Sequence, residues 1–189
     1  MKKFKLLTLI LCSLLTYFIY MGTKDKNNIT YISLGDDYDN YLTNYLTKNN
    51  KLYRSYKYIN NEMLIRDLKK DIEANEKTEE GEYLKKALRE AKLLTISIGK
   101  NDLLLKREIG GKTNKEIVDE VLKDQIELMK VIRKYYKYDI YLIGYNKEFK
   151  DSRKYILEMY RQKEKGLQGV SYINNKEQLI NKINKRLEI

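Results

Sequence analysis

The sequence predicts one α/β domain, built as a parallel β-sheet with helices on both of its faces. From residue 29 onward, short apolar runs alternate with segments whose apolar residues recur every three or four positions. Such alternation is typical of parallel strands joined by crossover helices. The run "KLLTISIG" (92–99) is the most apolar of the strand-like segments, and its continuous character indicates a strand buried on both faces.

Hydrophobic periodicity assigns the individual elements. In the first helical segment, for example, Tyr41, Leu42, Tyr45 and Leu46 fall on one face. The pattern predicts strands at 29–34, 51–59, 92–99, 138–145 and 169–173, and helices at 39–50, 61–75, 82–91, 113–137, 151–166 and 176–189, with a polar loop at 76–82.

The longest predicted helix has the clearest start signal. Thr113 and Glu116 have the spacing of a capping box, in which each side chain satisfies a backbone N–H of the first turn. After them the sequence shows a single apolar stripe, which predicts a helix packed on the sheet. The stripe consists of Ile117, Val121, Leu128, Met129 and Ile132.

Composition restricts the classes of function without choosing among them. The 189 residues include 38 Lys and Arg against 27 Asp and Glu, a formal net charge of +11 that favours anionic surroundings. The single cysteine, Cys12, excludes an intramolecular disulfide and a cysteine-rich zinc site. The chain contains no histidine. We expect no cofactor and no bound metal ion.

The N-terminal segment has the layout of a secretory signal peptide or signal anchor. The basic stretch "MKKFK" precedes an uncharged apolar run, Leu6 to Met21, and polar residues follow. No small-residue cleavage site ends the run, which favours an uncleaved span with the domain on the outer side of the cell membrane; cleavage would make the protein secreted. The expected organisation is a signal or anchor at 1–22, a linker at 23–28 and the domain at 29–189.

Glycine-containing junctions after three strands direct attention to one edge of the sheet. In open parallel sheets, ligands bind beyond the carboxyl ends of the strands. The junctions are Gly35-Asp36-Asp37, Gly99-Lys100-Asn101-Asp102 and Gly144-Tyr145-Asn146. We expect them to cluster, with the strand ending at Leu34 beside the strand ending at Ile98.

The acidic residues of the first junction allow three interpretations. Carboxylates at a helix start commonly cap its free N–H groups. Asp36, Asp37 and Asp39 together could instead bind a cation. Asp37 could also act as a carboxylate nucleophile, although no base to activate water is evident. For Asn101 and Asp102, helix capping and a position facing a ligand pocket both remain open.

Three stretches resemble the SGNH, or GDSL, hydrolase family. "ISLGDDY" resembles its first block, Gly-Asp-Ser; "LLTISIGKNDLL" (93–104) resembles its third block, Gly-x-Asn-Asp; and "IYLIGYNKEF" (140–149) resembles a strand and loop of its bacterial esterase-like members. The matches follow the family's order. The resemblance implies a flavodoxin-like three-layer α/β/α fold.

By resemblance, the edge of the sheet would be an ester-hydrolysis site. Asp37 stands where the family has its nucleophilic serine, and Asp36 matches the block-one aspartate. Asn101 would occupy the oxyanion position, with Gly99 permitting the turn that leads to it. Asn60 or Asn61 would replace the block-two glycine. The resemblance thus predicts a binding edge composed of Gly35, Asp36, Asn60, Gly99 and Asn146.

The departures from the family pattern predict a degenerate member. The serine is absent at position 37, and "GVSYINNKEQL" passes from strand to helix without room for the family's Asp-x-x-His. We therefore expect a pseudoenzyme that binds an envelope glycan, lipid or protein; the alternative is an active esterase with rearranged catalytic groups that cleaves an acyl ester. The Tyr/Lys/Arg runs at 53–58 and 133–141 could stack nucleic-acid bases, but an extracytoplasmic domain disfavours that partner.

Overall fold

The computed structural model describes residues 12, 28–36, 40–144 and 169–187. Cys12 is helical and exposed. The expectations for the remaining N-terminal residues, for Asp37 and Asn146, and for a helix at 151–166 fall outside the described residues. Within the described ranges, no helix is both long enough and apolar enough to cross a membrane.

Five parallel strands form one sheet in the order β2-β1-β3-β4-β5. This is the flavodoxin-like order, with a switch point between β1 and β3. The strands are β1 (Ile29–Gly35), β2 (Leu52–Ile59), β3 (Leu93–Ser97), β4 (Ile140–Ile143) and β5 (Val170–Ile173). The predicted neighbourhood of the first and third strands is confirmed, because Leu34 pairs with Ile96 and Gly35 pairs with Ser97.

Six helices are described, and they cover both faces of the sheet. One face packs against α2, α3, α4 and α5, and the other against α1 and α6. The amphipathic pattern of each crossover segment therefore produces three layers. The helices are α1 (Asn40–Lys48), α2 (Ile65–Ala74), α3 (Leu84–Glu90), α4 (Lys100–Ile109), α5 (Asn114–Arg133) and α6 (Lys176–Leu187).

The strands contribute alternate residues to two cores, of which the one under α2 to α5 is the larger. Even-numbered residues of β1 and β3, such as Ile32 and Leu94, contribute to the larger core under α2 to α5. Tyr31 and Leu93 belong to the smaller core with Leu42 of α1. The buried β3 predicted from sequence is confirmed, since its first four residues are buried. The capping box at the start of α5 is also present.

The structure departs from the sequence pattern at two elements. Residues 100–109 form α4, which periodicity did not predict: Leu103 is buried, whereas Leu104 and Leu105 are each 40% exposed, so the leucine run has no consistent face. Tyr41 was expected on the buried face of α1 but is 42% exposed. It lies in the first turn of the helix, where its ring contacts the ammonium of Lys176.

The closest approach of β1 to β3 occurs at Gly35. Gly35 has a φ of +121°, a backbone conformation that residues with a side chain rarely adopt. A Cβ added there would lie 1.7 Å from the carbonyl oxygen of Ser97. Neither backbone can retreat without breaking the hydrogen bond between the Asp36 N–H and that oxygen, 2.7 Å long. Glycine is therefore a steric requirement at position 35.

We expect Gly35→Ala to destabilise the domain by more than about 3 kcal/mol, combining backbone strain with a clash that displaces a central strand. Gly81→Ala is the matched control, because Gly81 has φ +82° but no atom within 4 Å of an added Cβ. The control should cost only about 1–2 kcal/mol. Urea unfolding monitored by circular dichroism measures both, and equal losses would contradict the close-approach argument.

Candidate functional site

The candidate site lies at the carboxyl ends of β1 and β3. Asp36 follows β1 directly and is 7% exposed. Its backbone N–H donates to the carbonyl of Ser97, and the Ser97 hydroxyl donates to Asp36 Oδ1 at 3.1 Å. The two strand ends are thus joined through both backbone and side chain, and the Asp36 carboxylate is fixed at the sheet edge.

A row of buried hydroxyl groups extends from the smaller core toward Asp36 and Ser97. Tyr31 and Thr95 share a hydrogen bond of 2.6 Å between their hydroxyls, and the Thr95 hydroxyl donates to Ser33 at 3.4 Å. Ser97 was not singled out from sequence. The sequence pattern that could have identified Ser97 is the pair Thr95 and Ser97, two polar residues at alternate positions of an otherwise apolar strand.

The second junction is shaped by Gly99 and a buried glutamine. Gly99 has φ +110° and precedes α4, whose first intrahelical bond runs from the Leu103 N–H to the Gly99 carbonyl. Gln125 of α5 is 1% exposed and donates to the Ile98 carbonyl at 2.8 Å. Gln125 was also missed, although a polar residue inside the apolar stripe of α5 was a visible signal.

Asn101 uses its side-chain amide to bind the loop after β2. Its Nδ2 donates to the carbonyl of Asn61 at 2.8 Å and to the carbonyl of Met63 at 3.1 Å. An amide nitrogen carries two hydrogens, and both are engaged here. Asn101 could donate to a ligand oxyanion only by releasing one of these carbonyls.

Asp102 caps a helix that is distant in sequence. Its Oδ2 accepts the N–H of Ile65 at 3.1 Å, at the start of α2, where the N-cap residue Leu64 makes no side-chain cap. The expected capping role is therefore present, but it serves α2. Burial raises the pKa of the Asp102 carboxyl, and the Ile65 N–H opposes this shift only in part.

Asn60 completes the group at this edge. Its backbone N–H donates to the Gly35 carbonyl at 3.0 Å, and its side-chain oxygen accepts the N–H of Glu62 at 3.0 Å. The structure therefore brings together five of the residues predicted from sequence, at the ends of three adjacent strands. They are Gly35, Asp36, Asn60, Gly99 and Asn101.

The edge continues past Gly144 to the start of α6. The Gly144 N–H donates to the Ile173 carbonyl at 2.7 Å. β5 ends at Ile173 and α6 begins at Lys176, so two residues separate strand from helix. The Asn175 side chain accepts the Gln178 N–H, and the Gln178 side chain accepts the Asn174 N–H, each at 2.8 Å.

A shallow, open depression of about 540 Å³ lies along α6, lined by Asn174, Asn175, Gln178, Asn181 and Lys182 among others. Of the three acids considered as a cation site, the structure describes Asp36. Within the described ranges, no three His, Cys, Asp or Glu side chains are placed to hold a metal ion.

The raised pKa of Asp102 predicts a pH dependence of stability. The folded state holds its proton more tightly than the unfolded chain, so this residue's contribution to stability is greatest at low pH and is lost as pH rises from about 3.8 through the raised folded pKa. Asp102→Asn removes the titration. Its stability relative to wild type should therefore increase as pH rises through that window.

Glu116→Gln is the control, for which we expect the opposite pH dependence of stability. Hydrogen bonds from Thr113 lower the pKa of Glu116, so its stabilisation is present above the ordinary pKa and lost at lower pH. Chemical unfolding at several pH values measures both differences. A flat Asp102→Asn difference would show that burial does not penalise the carboxylate.

Comparisons with known proteins place the fold. No family model matches the sequence, and no curated protein matches it. Among solved structures, the chain is similar to a substituted variant of an acetyl-xylooligosaccharide esterase from Geobacillus, with 16% sequence identity and a TM-score of 0.50. The alignment covers 83% of this chain and 80% of the esterase. At this identity the likeness concerns the fold, and the described domain shares the α/β architecture of that esterase.

Proposed function

We propose that this protein is a distant SGNH-fold relative that does not hydrolyse esters and that uses the carboxyl edge of its sheet to bind a carbohydrate of the cell envelope. The observation that supports the loss of hydrolysis most directly is the engagement of the Asn101 amide with the carbonyls of Asn61 and Met63. The absence of histidine from the whole sequence adds to it.

Ester hydrolysis needs a nucleophile, a base and donors aimed at the developing oxyanion. By resemblance, Asn101 would be the oxyanion donor, but both of its amide hydrogens bind backbone. Asp37 stands in the nucleophile's position, and no histidine is available as a base. Without a nucleophile and a base, ester hydrolysis keeps only the residual rate that substrate binding and any remaining hydrogen-bond donors to the oxyanion supply.

The chemistry of the edge suits a carbohydrate. Asn60 and Asn181 are exposed residues with amide side chains, and amides both donate to and accept from sugar hydroxyls. Tyr41 offers an exposed ring at the start of α1. The solved relative is named for acting on an acetylated xylooligosaccharide, which makes acetylated oligosaccharides the first ligands to test.

The N-terminal sequence supports a location at the cell membrane. The apolar run from Leu6 to Met21 follows Lys2, Lys3 and Lys5, a charge asymmetry that retains the N-terminus inside. In this proposal the run anchors the chain and the domain faces outward, where envelope carbohydrates occur.

One observation favours the alternative, an esterase with rearranged groups. The Ser97 hydroxyl donates to the Asp36 carboxylate at the sheet edge, which is a hydroxyl and a carboxylate in hydrogen-bond contact. In that arrangement Ser97 would be the nucleophile and Asp36 its base. A carboxylate is a weak base for a hydroxyl, and this reading still lacks a free oxyanion donor among the groups described.

The two readings differ in a direct assay. Full-length protein should hydrolyse p-nitrophenyl acetate and acetylated xylooligosaccharides no faster than a denatured sample. Saturable turnover abolished by Ser97→Ala would support the rearranged esterase and overturn our preferred reading. Turnover abolished by Asp37→Ala instead would identify Asp37 as a nucleophile and would overturn it equally.

A structural role for Asn101 also predicts a stability effect. Asn101→Ala leaves two carbonyls without their donor and should cost about 1–3 kcal/mol. The control, Asn44→Ala, removes an exposed amide from α1 and should cost less than about 1 kcal/mol. Thermal and urea unfolding measure both. Equal stability of the Asn101 variant and wild type would show that the amide is available for a ligand.

A further inference from the structure

We infer that the opposite edge of the sheet, where the strands begin, is a surface that rests on anionic lipid headgroups. This inference depends on the membrane anchoring proposed above and adds an orientation to it. We call the surface the basic lower edge. It consists of Lys85, Arg89, Lys92, Lys134, Lys137 and Arg186, with the rings of Tyr135 and Tyr138 between them.

The topology of the fold brings these residues together. In a parallel sheet, each crossover helix returns the chain to the amino end of the next strand. Arg89 lies at the end of α3 and Arg186 at the end of α6, while Lys92 and Lys137 lie in the turns before β3 and β4. Residues far apart in sequence therefore share one edge.

Contacts with two tyrosine rings connect four of the six cations in two pairs. The Tyr135 ring lies 5.6 Å from Lys85 Nζ and 5.3 Å from the Arg89 guanidinium carbon. The Tyr138 ring lies 5.2 Å from Lys137 Nζ and 5.0 Å from the Arg186 guanidinium carbon.

Arg186 extends the group to β3, because its Nη2 donates to the Lys92 carbonyl at 2.7 Å. The group is therefore continuous from α3 through the end of α5 to α6.

The charges of this edge are not neutralised within the described part of the chain. There, none of the six cations forms a salt bridge with a carboxylate. Some described lysines elsewhere are paired: Lys106 binds Glu120 at 3.1 Å and Lys130 binds Glu127 at 2.7 Å. Basic residues at helix ends also complement the helix dipole, but that requirement does not explain Lys92 and Lys137, which lie outside helices.

The route of the chain identifies the partner. The domain begins at the same edge, since the Ile29 N–H donates to the Lys51 carbonyl and the Thr30 carbonyl accepts the Lys92 N–H at 2.8 Å. Only residues 22–28 separate Ile29 from the apolar run, a span of at most about 25 Å when extended. An anchored chain would hold the basic lower edge next to the headgroups.

The residue types fit that position. Tyrosine rings are favoured at the membrane interface, and each Lys or Arg near an anionic leaflet contributes roughly a fivefold gain in association. Nucleic acid would recognise the same charges, but the entry of the chain at this edge favours lipid.

The test measures lysine acetylation on the full-length protein in nanodiscs of neutral lipid and in nanodiscs with about 30% phosphatidylserine, a level that gives a negative surface potential. On anionic discs, Lys85, Lys92, Lys134 and Lys137 should be acetylated about fivefold more slowly than on neutral discs. Lys70 and Lys100 should be unchanged. About 0.5 M NaCl should abolish the difference through screening.

A pair of charge-matched variants isolates the surface. Arg89→Gln with Lys134→Gln should reduce the protection of Lys85, Lys92 and Lys137. Arg66→Gln with Lys115→Gln removes the same amount of charge from exposed positions elsewhere. This control should leave the protection of the three lysines unchanged.

Binding of the protein to neutral nanodiscs tests the membrane anchor independently of the basic lower edge. A chain that is absent from neutral discs but protected on anionic discs would refute the anchor and support the surface. Equal acetylation on both disc types, or protection by a short single-stranded RNA but not by anionic lipid, would overturn the inference.

Discussion

The arrangement of the carboxyl edge of the sheet depends on the close contact of Gly35 with Ser97. The 1.7 Å that would separate an added Cβ from the Ser97 oxygen means that β1 and β3 meet as bare backbone. Asp36 can then bind both the carbonyl and the hydroxyl of Ser97, and Asn60 can bind the Gly35 carbonyl from the other side. Three strand ends are thereby fixed relative to one another before any ligand is considered.

The residues that follow β3 have structural partners more than thirty positions away in sequence. Asn101 binds the loop after β2, and Asp102 caps α2. In both cases a polar group that could face a ligand instead satisfies backbone atoms that would otherwise lack partners in the protein, and burial of such atoms without partners is costly. At this edge, polar side chains therefore stabilise the fold.

Much of the architecture could be predicted from the sequence because local periodicity records burial. The buried β3, the capping box at Thr113 and the clustering of Gly35 with Gly99 all follow from patterns within a few residues. The helix at 100–109 could not be predicted, since its leucines show no single buried face. The partners of Asn101 could not be predicted either: spacing along the chain contains no information about a hydrogen bond formed across 40 residues.

The double hydrogen bond of Asn101 has a consequence for evolution and for design. A serine and a histidine introduced at this edge would supply a nucleophile and a base, yet the charge forming on the substrate oxygen would find the Asn101 amide already occupied. Freeing that amide would release the 61–63 loop from α4. Building a hydrolytic site here thus requires coupled changes, in which a new donor for the loop carbonyls precedes the catalytic pair, and each substitution tested alone would look neutral or harmful. Such coupling makes a hydrolytic site hard to build here by single steps.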